Sequence, residues 1–84
     1  MVRFEGVAAG IEDWTLWDLQ NALWLLGPNA TLLLVREAGG WWTAAINDRS
    51  VRLAKADALV LPEALGKALE AAAGAVEARK RREG

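Results

Sequence analysis

The segment from Thr31 to Lys55, TLLLVREAGGWWTAAINDRSVRLAK, decides the fold. Its first part, Thr31 to Ala38, is rich in residues that favour strands, and it ends at a pair of glycines. Extended structure resumes at once in the second part, Trp41 to Ile46. Two β-rich runs joined by a short glycine-containing connection are typical of a β-hairpin.

The last part of the segment predicts a third strand. We predict a two-residue turn at Asn47 and Asp48, because both residue types tolerate positive φ. Arg49 to Lys55 then continues as a strand with Val51 and Leu53 on one face. The three strands therefore predict an antiparallel meander.

A helix is predicted before the sheet, and both of its ends are marked. Thr15 is the expected N-cap and Asp18 the third helical residue, so the two form a capping box, with Trp14 and Leu19 at the positions of a hydrophobic staple. The helix ends at Leu26, where Gly27 is expected to adopt the left-handed conformation and Pro28 prevents continuation. The core-facing stripe of this helix is expected to consist of Leu16, Leu19, Leu23 and Leu26.

A second helix is predicted after the sheet, with Pro62 in its first turn and its end near Arg82. Helical spacing places one apolar face on the sheet, formed by Leu61, Leu65, Leu69, Ala72 and Val76. Charged residues lie opposite this face, including the i,i+4 pairs Glu63–Lys67 and Glu77–Arg81.

These elements predict a single α+β domain over residues 1–84. Its order is a helix, a three-stranded antiparallel meander and a long C-terminal helix packed on the sheet, with a possible extra strand over residues 2–8. The predicted core is Leu16, Leu19, Leu23, Leu32, Leu34, Val51, Leu53, Leu65, Leu69 and Val76.

Composition limits the chemistry of the chain. It holds no His, no Cys and no Tyr, which excludes most acid–base and nucleophilic schemes and leaves no sulfur ligand for zinc. We therefore predict that the protein is not an enzyme and has no catalytic residue, cofactor or metal. The charged residues among Met1 to Glu5 are unlike a secretory signal, and no apolar run approaches the ~20 residues that cross a bilayer. We expect a soluble cytoplasmic protein.

Tryptophan placement is the first feature that suggests binding. Trp17 and Trp24 are seven residues apart on the first helix, and Trp41 and Trp42 are adjacent in a strand and must point to opposite sides of the sheet. The indoles either close the edge of a small core or bind a partner, since exposed tryptophans are favoured anchors at interfaces.

Small residues on the last helix are the second feature. Their spacing of 4, 3, 4 and 3 is a heptad pattern without bulk, which would let another helix approach closely. Alternatively, alanine is simply the best helix former. On the first interpretation the chain is a homodimer through Ala64, Ala68, Ala71, Ala75 and Ala78.

A cluster of four cations near the C-terminus, Arg79, Lys80, Arg81 and Arg82, is the third feature. Cations complement the dipole at a helix end, but they could also contact nucleic acid. Without them the chain holds 6 Lys and Arg against 11 Asp and Glu, a net charge of −5, which disfavours a general nucleic-acid surface. Arg49, Arg52 and Lys55 are candidates to extend the patch.

The run from Gly39 to Ala45, GGWWTAA, followed by Leu61 to Glu70, LPEALGKALE, resembles half of the HicB-type antitoxins. The element order is similar to that of the double-stranded-RNA-binding fold. This resemblance implies the fold and no functional residue, because the last helix starts with LPEA in place of the lysine-rich RNA-contacting sequence.

The sequence thus favours a non-enzymatic protein-interaction module, acting as a regulator, inhibitor or subunit. A nucleic-acid-binding domain using Arg79 to Arg82 is the alternative. A small-molecule pocket between the first helix and the sheet is a third interpretation.

Overall fold

The structure, a computed structural model, describes residues 11–83 and has the predicted α+β architecture. A 3₁₀ turn at Ile11–Asp13 precedes the elements α1 (Leu16–Leu26), β1 (Ala30–Arg36), β2 (Trp42–Asp48), β3 (Val51–Ala58) and α2 (Leu61–Glu83). The strand expected over residues 2–8 lies outside the described residues.

The start of α1 is the predicted capping box. The Asp18 N–H donates to Thr15 Oγ1 at 3.2 Å, and the Thr15 N–H donates to Asp18 Oδ2 at 2.8 Å. At the other end, the Gly27 N–H donates to the carbonyls of Leu23 and Trp24. The conformation expected of Gly27 is wrong, because its φ of 155° and ψ of 153° are not left-handed helical.

The capping hydroxyl has a testable energetic role. Thr15→Ala removes the acceptor that the Asp18 N–H uses, so we expect the free energy of unfolding to fall by about 1 kcal/mol. Thr15→Ser retains the hydroxyl and should stay near the wild-type value. Urea denaturation checks both, and an alanine variant as stable as the wild type would show that the box contributes nothing.

The sheet is the predicted antiparallel meander, in the order β1-β2-β3. The predicted turn is wrong by two residues: β2 continues through Asp48, which pairs with Ala30 on one side and Val51 on the other. Arg49 and Ser50 therefore form the turn, and Arg49 has a φ of 58°. Pairing with both neighbouring strands holds Asp48 in the sheet.

The two faces of the sheet have different surroundings. Because side chains alternate along a strand, Ala44 and Ile46 point to one face and Thr43 and Ala45 to the other. The core cluster contains Ala44 and Ile46 with residues of both helices, so both helices pack on this face, which we call the inner face. The opposite, outer face has no helix packed on it among residues 11–83.

Most of the predicted core is confirmed, but three members are wrong. Leu69 is fully buried, and a group of predicted residues is partly buried against the core, namely Leu19, Leu23, Leu32, Leu53, Leu65 and Val76. Leu16 is 84% exposed because the buried face of α1 is centred on Ala22 and Leu26. Leu34 and Val51 are also exposed, since they lie on the two edge strands.

Alanines bring α2 close to the sheet. Ala64, Ala68 and Ala72 are fully buried, and they share the core cluster with the sheet alanines Ala44 and Ala54. Small side chains on both surfaces allow a short distance between helix and strands. These three alanines of α2 therefore serve packing within the chain.

Candidate interaction surfaces

The most exposed tryptophans lie on the solvent side of α1. Trp17 is 71% exposed and Trp24 69% exposed, and both lie opposite the buried side chains of Ala22 and Leu26. Seven residues of helix separate the two indoles by about 10 Å along the axis. Leu16 and Leu25 are exposed beside them. We call these four residues, Leu16, Trp17, Trp24 and Leu25, the α1 apolar face.

The α1 apolar face carries no net charge of its own. Asp18 is the one charged residue between Leu16 and Leu26, and its carboxylate accepts the Thr15 N–H in the capping box. Between the indoles lie two uncharged polar side chains, Gln20 and Asn21, both exposed. The face therefore combines apolar area with uncharged hydrogen-bonding groups. This composition resembles the centres of protein interfaces, where charged residues are depleted.

The two strand tryptophans are positioned differently. Trp42 lies in β2 and packs against the core on the inner face, so it is half-buried. Trp41 precedes β2, and its ring lies so close to Gly39 that a Cβ at that position would overlap it. Packing on its own hairpin leaves Trp41 42% exposed. Of the four tryptophans predicted to bind a partner, Trp17 and Trp24 thus offer the most surface.

The predicted alanine stripe is not one continuous surface. Ala64 and Ala68 are buried against the sheet, whereas Ala71 and Ala78 are exposed and Ala75 is half-buried. The first two positions are wrong as dimer contacts of the folded chain, because their side chains already pack inside it. A stripe limited to Ala71, Ala75 and Ala78 offers little apolar area.

The C-terminal cations are partly engaged within the chain. Arg79 Nη1 lies 3.1 Å from Asp48 Oδ2, at the end of β2, while Lys80, Arg81 and Arg82 are exposed. A cleft of about 540 Å³ beside this ion pair is lined by Pro28, Asn29, Asp48, Arg49, Ser50, Val51 and Arg79. Of the three cations that were candidates to extend the basic patch, Arg49 therefore lies in the same cleft as Arg79.

The other two cations considered for this patch lie elsewhere. Arg52 Nε donates to Asn47 Oδ1 at 2.6 Å, and Lys55 pairs with Ala45, which places both on the outer face. Because α2 packs on the inner face, Arg52 and Lys55 do not extend the Arg79 cluster.

A buried hydroxyl joins three parts of the outer face. Thr43 Oγ1 lies 2.5 Å from Asp57 Oδ1 on β3 and 3.3 Å from Glu37 Oε1, just beyond β1. Its single proton can be donated to one carboxylate at a time. Sequence reasoning missed this group, because the three residues are brought together only by the register of the sheet.

The pocket expected beside α1 is small. A groove of about 190 Å³ is lined by Ile11, Trp14, Thr15, Leu16, Leu19 and Leu65. Leu65 belongs to α2, so the groove lies between the helices and includes no strand residue. Its volume is below the roughly 300–1,000 Å³ typical of ligand pockets.

Within the part of the chain that the structure describes, no helix is long and apolar enough to cross a membrane. The same residues include no group of three or more His, Cys, Asp or Glu side chains that could hold a metal ion. Comparisons with protein-family models, with curated proteins and with solved structures found no match to this chain.

Proposed function

We propose that the protein is a cytoplasmic, non-enzymatic interaction module that binds a protein partner through the α1 apolar face and also associates with itself. The observation that carries the proposal is the exposure of Trp17 and Trp24, 71% and 69%, on one side of one helix. Two indoles, flanked by Leu16 and Leu25, form an apolar patch of the kind that marks interaction sites.

Tryptophan supports this proposal for a physical reason. A large rigid side chain buries much area at little entropic cost, and interface residues whose loss weakens binding most are enriched in Trp. The neutral polar residues Gln20 and Asn21 lie between the indoles and can supply the hydrogen bonds of a partner contact. Absence of His, Cys and Tyr supports a role without catalysis.

Nucleic-acid binding remains the weaker proposal. The shared cleft of Arg49 and Arg79 favours it, but Asp48 lies in the same cleft and pairs with the Arg79 guanidinium. A carboxylate at this position opposes the approach of a phosphate. For this reason we place the partner contact on α1.

The double variant Trp17→Ser/Trp24→Ser tests the proposal. Wild-type and variant proteins are immobilised, and the proteins that they capture from lysate of the source cells are identified. Each captured protein is then purified and titrated against the wild type and against the variant. We expect each tryptophan to contribute at least about 2 kcal/mol to the free energy of binding, so the single variants Trp17→Ser and Trp24→Ser should each raise the Kd at least ~30-fold, and the double variant further. Circular dichroism should show an intact fold, because both side chains are mostly exposed.

Leu59→Ser provides the matched control. Leu59 is 77% exposed, similar to Trp17, but lies between β3 and α2. It should leave the Kd unchanged. Equal affinity of the partner for the wild type and for the double tryptophan variant would contradict the proposal.

A further inference from the structure

The two edges of the sheet are protected to different degrees. β3 carries Arg52, Lys55 and Asp57, and a bulge interrupts its pairing with β2, where Ile46 pairs with Ala54 but Asn47 with Arg52. Charges and bulges on an edge strand prevent it from pairing with other chains. β1 has neither of these protective features. Its pairing with β2 is unbroken, and its one charged residue, Arg36, is the last residue of the strand.

Three consecutive apolar residues of β1 are exposed. Leu33 is 55% exposed, and Leu34 and Val35 are also exposed. Because side chains alternate, Leu34 points to the inner face and the other two to the outer face. Both faces of this edge therefore present apolar surface to solvent.

The backbone of β1 offers hydrogen-bonding groups at the same edge. Just beyond the strand ends, the Glu37 N–H donates to the Trp41 carbonyl at 2.8 Å and the Arg49 N–H to the Asn29 carbonyl at 3.4 Å. Hydrogen-bonded pairs alternate along an antiparallel ladder, so the odd-numbered residues of β1 bond to β2. Leu32 and Leu34 then direct their N–H and C=O groups outward, and no strand within residues 11–83 pairs with them.

We propose that β1 of a second copy of this chain pairs with this edge, antiparallel and about a two-fold axis at Leu33. In this register Leu32 lies opposite Leu34 of the other copy, and these residues exchange the outward hydrogen bonds. The result is one continuous sheet across both copies. The inference rests on the self-association in the proposed function and adds the surface that performs it.

Self-complementarity favours a second copy over another partner. The register places Thr31 opposite Val35 and Ala30 opposite Arg36, so no like charges meet across the axis. The whole length of β1 is used, and each exposed apolar side chain gains an apolar or small neighbour. A two-fold contact of this kind is isologous, the commonest form of homodimer.

A charge introduced at the two-fold axis tests whether β1 pairs with β1 of a second copy. Leu33→Lys puts two ammonium groups opposite each other, so light scattering should show a monomer where the wild type is a dimer. Val51→Lys is the matched control, because Val51 is equally exposed at 55% on the other edge strand. It should remain a dimer, and so should Ala71→Glu/Ala75→Glu, which tests the exposed alanines of α2.

A disulfide tests the register. The chain has no Cys, so Leu33→Cys provides a single thiol next to its symmetry mate. Cα atoms of such a pair are about 4.5 Å apart, within disulfide range, and mild oxidation should give a covalent dimer. Thr31→Cys would lie four residues out of register with its own copy, about 13 Å away, and should not cross-link.

The outcomes separate this inference from the proposed function. A monomeric wild type at high concentration would overturn both the self-association and the edge pairing. A dimer that persists in Leu33→Lys, or that cross-links at Thr31→Cys and not at Leu33→Cys, would overturn the edge pairing alone. Partner capture through Trp17 and Trp24 should be unchanged in Leu33→Lys, and its loss there would place β1 in the partner contact instead.

Discussion

Leu69→Ala is expected to lower the free energy of unfolding by roughly 2–5 kcal/mol, the usual range for a fully buried leucine. Leu69 has no exposed surface and lies in α2 within the cluster that joins both helices to the inner face. Truncation leaves a cavity among residues that cannot easily close it, because many of its neighbours are alanines. Urea denaturation measures the effect.

Leu16→Ala is the matched comparison for this prediction. It makes the same chemical change in the other helix, at a side chain that is 84% exposed, so we expect a loss below about 0.5 kcal/mol. Similar losses at Leu16 and Leu69 would contradict the orientation of the helices on the sheet.

Ala68→Leu is expected to destabilise the protein by roughly 1–3 kcal/mol, because it forces a larger side chain between α2 and the sheet. Ala68 is fully buried and shares the core with Ala44 and Ala54 of the strands. The added carbons can be accommodated only if the helix moves away from the sheet.

Ala71→Leu controls for helix propensity in this comparison. Ala71 lies three residues further along α2 and is exposed. Alanine and leucine have similar propensities, so the difference between the two variants reports packing alone. Thermal denaturation should show a clear loss at position 68 and little change at position 71. Equal effects would mean that the helix does not lie close to the sheet.

Local sequence patterns were sufficient for the elements and their order. The side chains of Thr15 and Asp18 form the hydrogen bonds that start α1. The leucine spacing of α2 identifies one side of its buried face, which contains Leu69. These features depend on residues a few positions apart. Prediction from sequence works where the interacting groups are close along the chain.

Two of the errors arose where contacts between residues distant in the sequence decide the outcome. Asn47 and Asp48 suit a turn, yet Asp48 pairs with Ala30, eighteen residues away, and stays in β2. Likewise, Ala64 and Ala68 look like a neutral flank of α2 until the alanines of the strands are placed under them. The preference of a residue for a turn or for a helix surface does not indicate such contacts with distant residues.

The candidate surfaces were predictable only in part. Spacing placed Trp17 and Trp24 on one side of α1, but their exposure depends on the rotation of the helix, which Ala22 fixes by packing against the core. No strand within residues 11–83 pairs with the outer edge of β1. The predicted meander placed β1 at an edge, but which of its residues direct their N–H and C=O groups outward follows from the register with β2, which depends on contacts between distant residues.

NMR can detect direct contact of Trp17 and Trp24 with the partner. The five tryptophans give five indole N–H resonances in a two-dimensional NMR spectrum, assignable by single Trp→Phe substitutions. Titration with the captured partner should shift or broaden the resonances of Trp17 and Trp24 while that of the half-buried Trp42 stays in place. Binding that leaves the Trp17 and Trp24 resonances unmoved would contradict this contact.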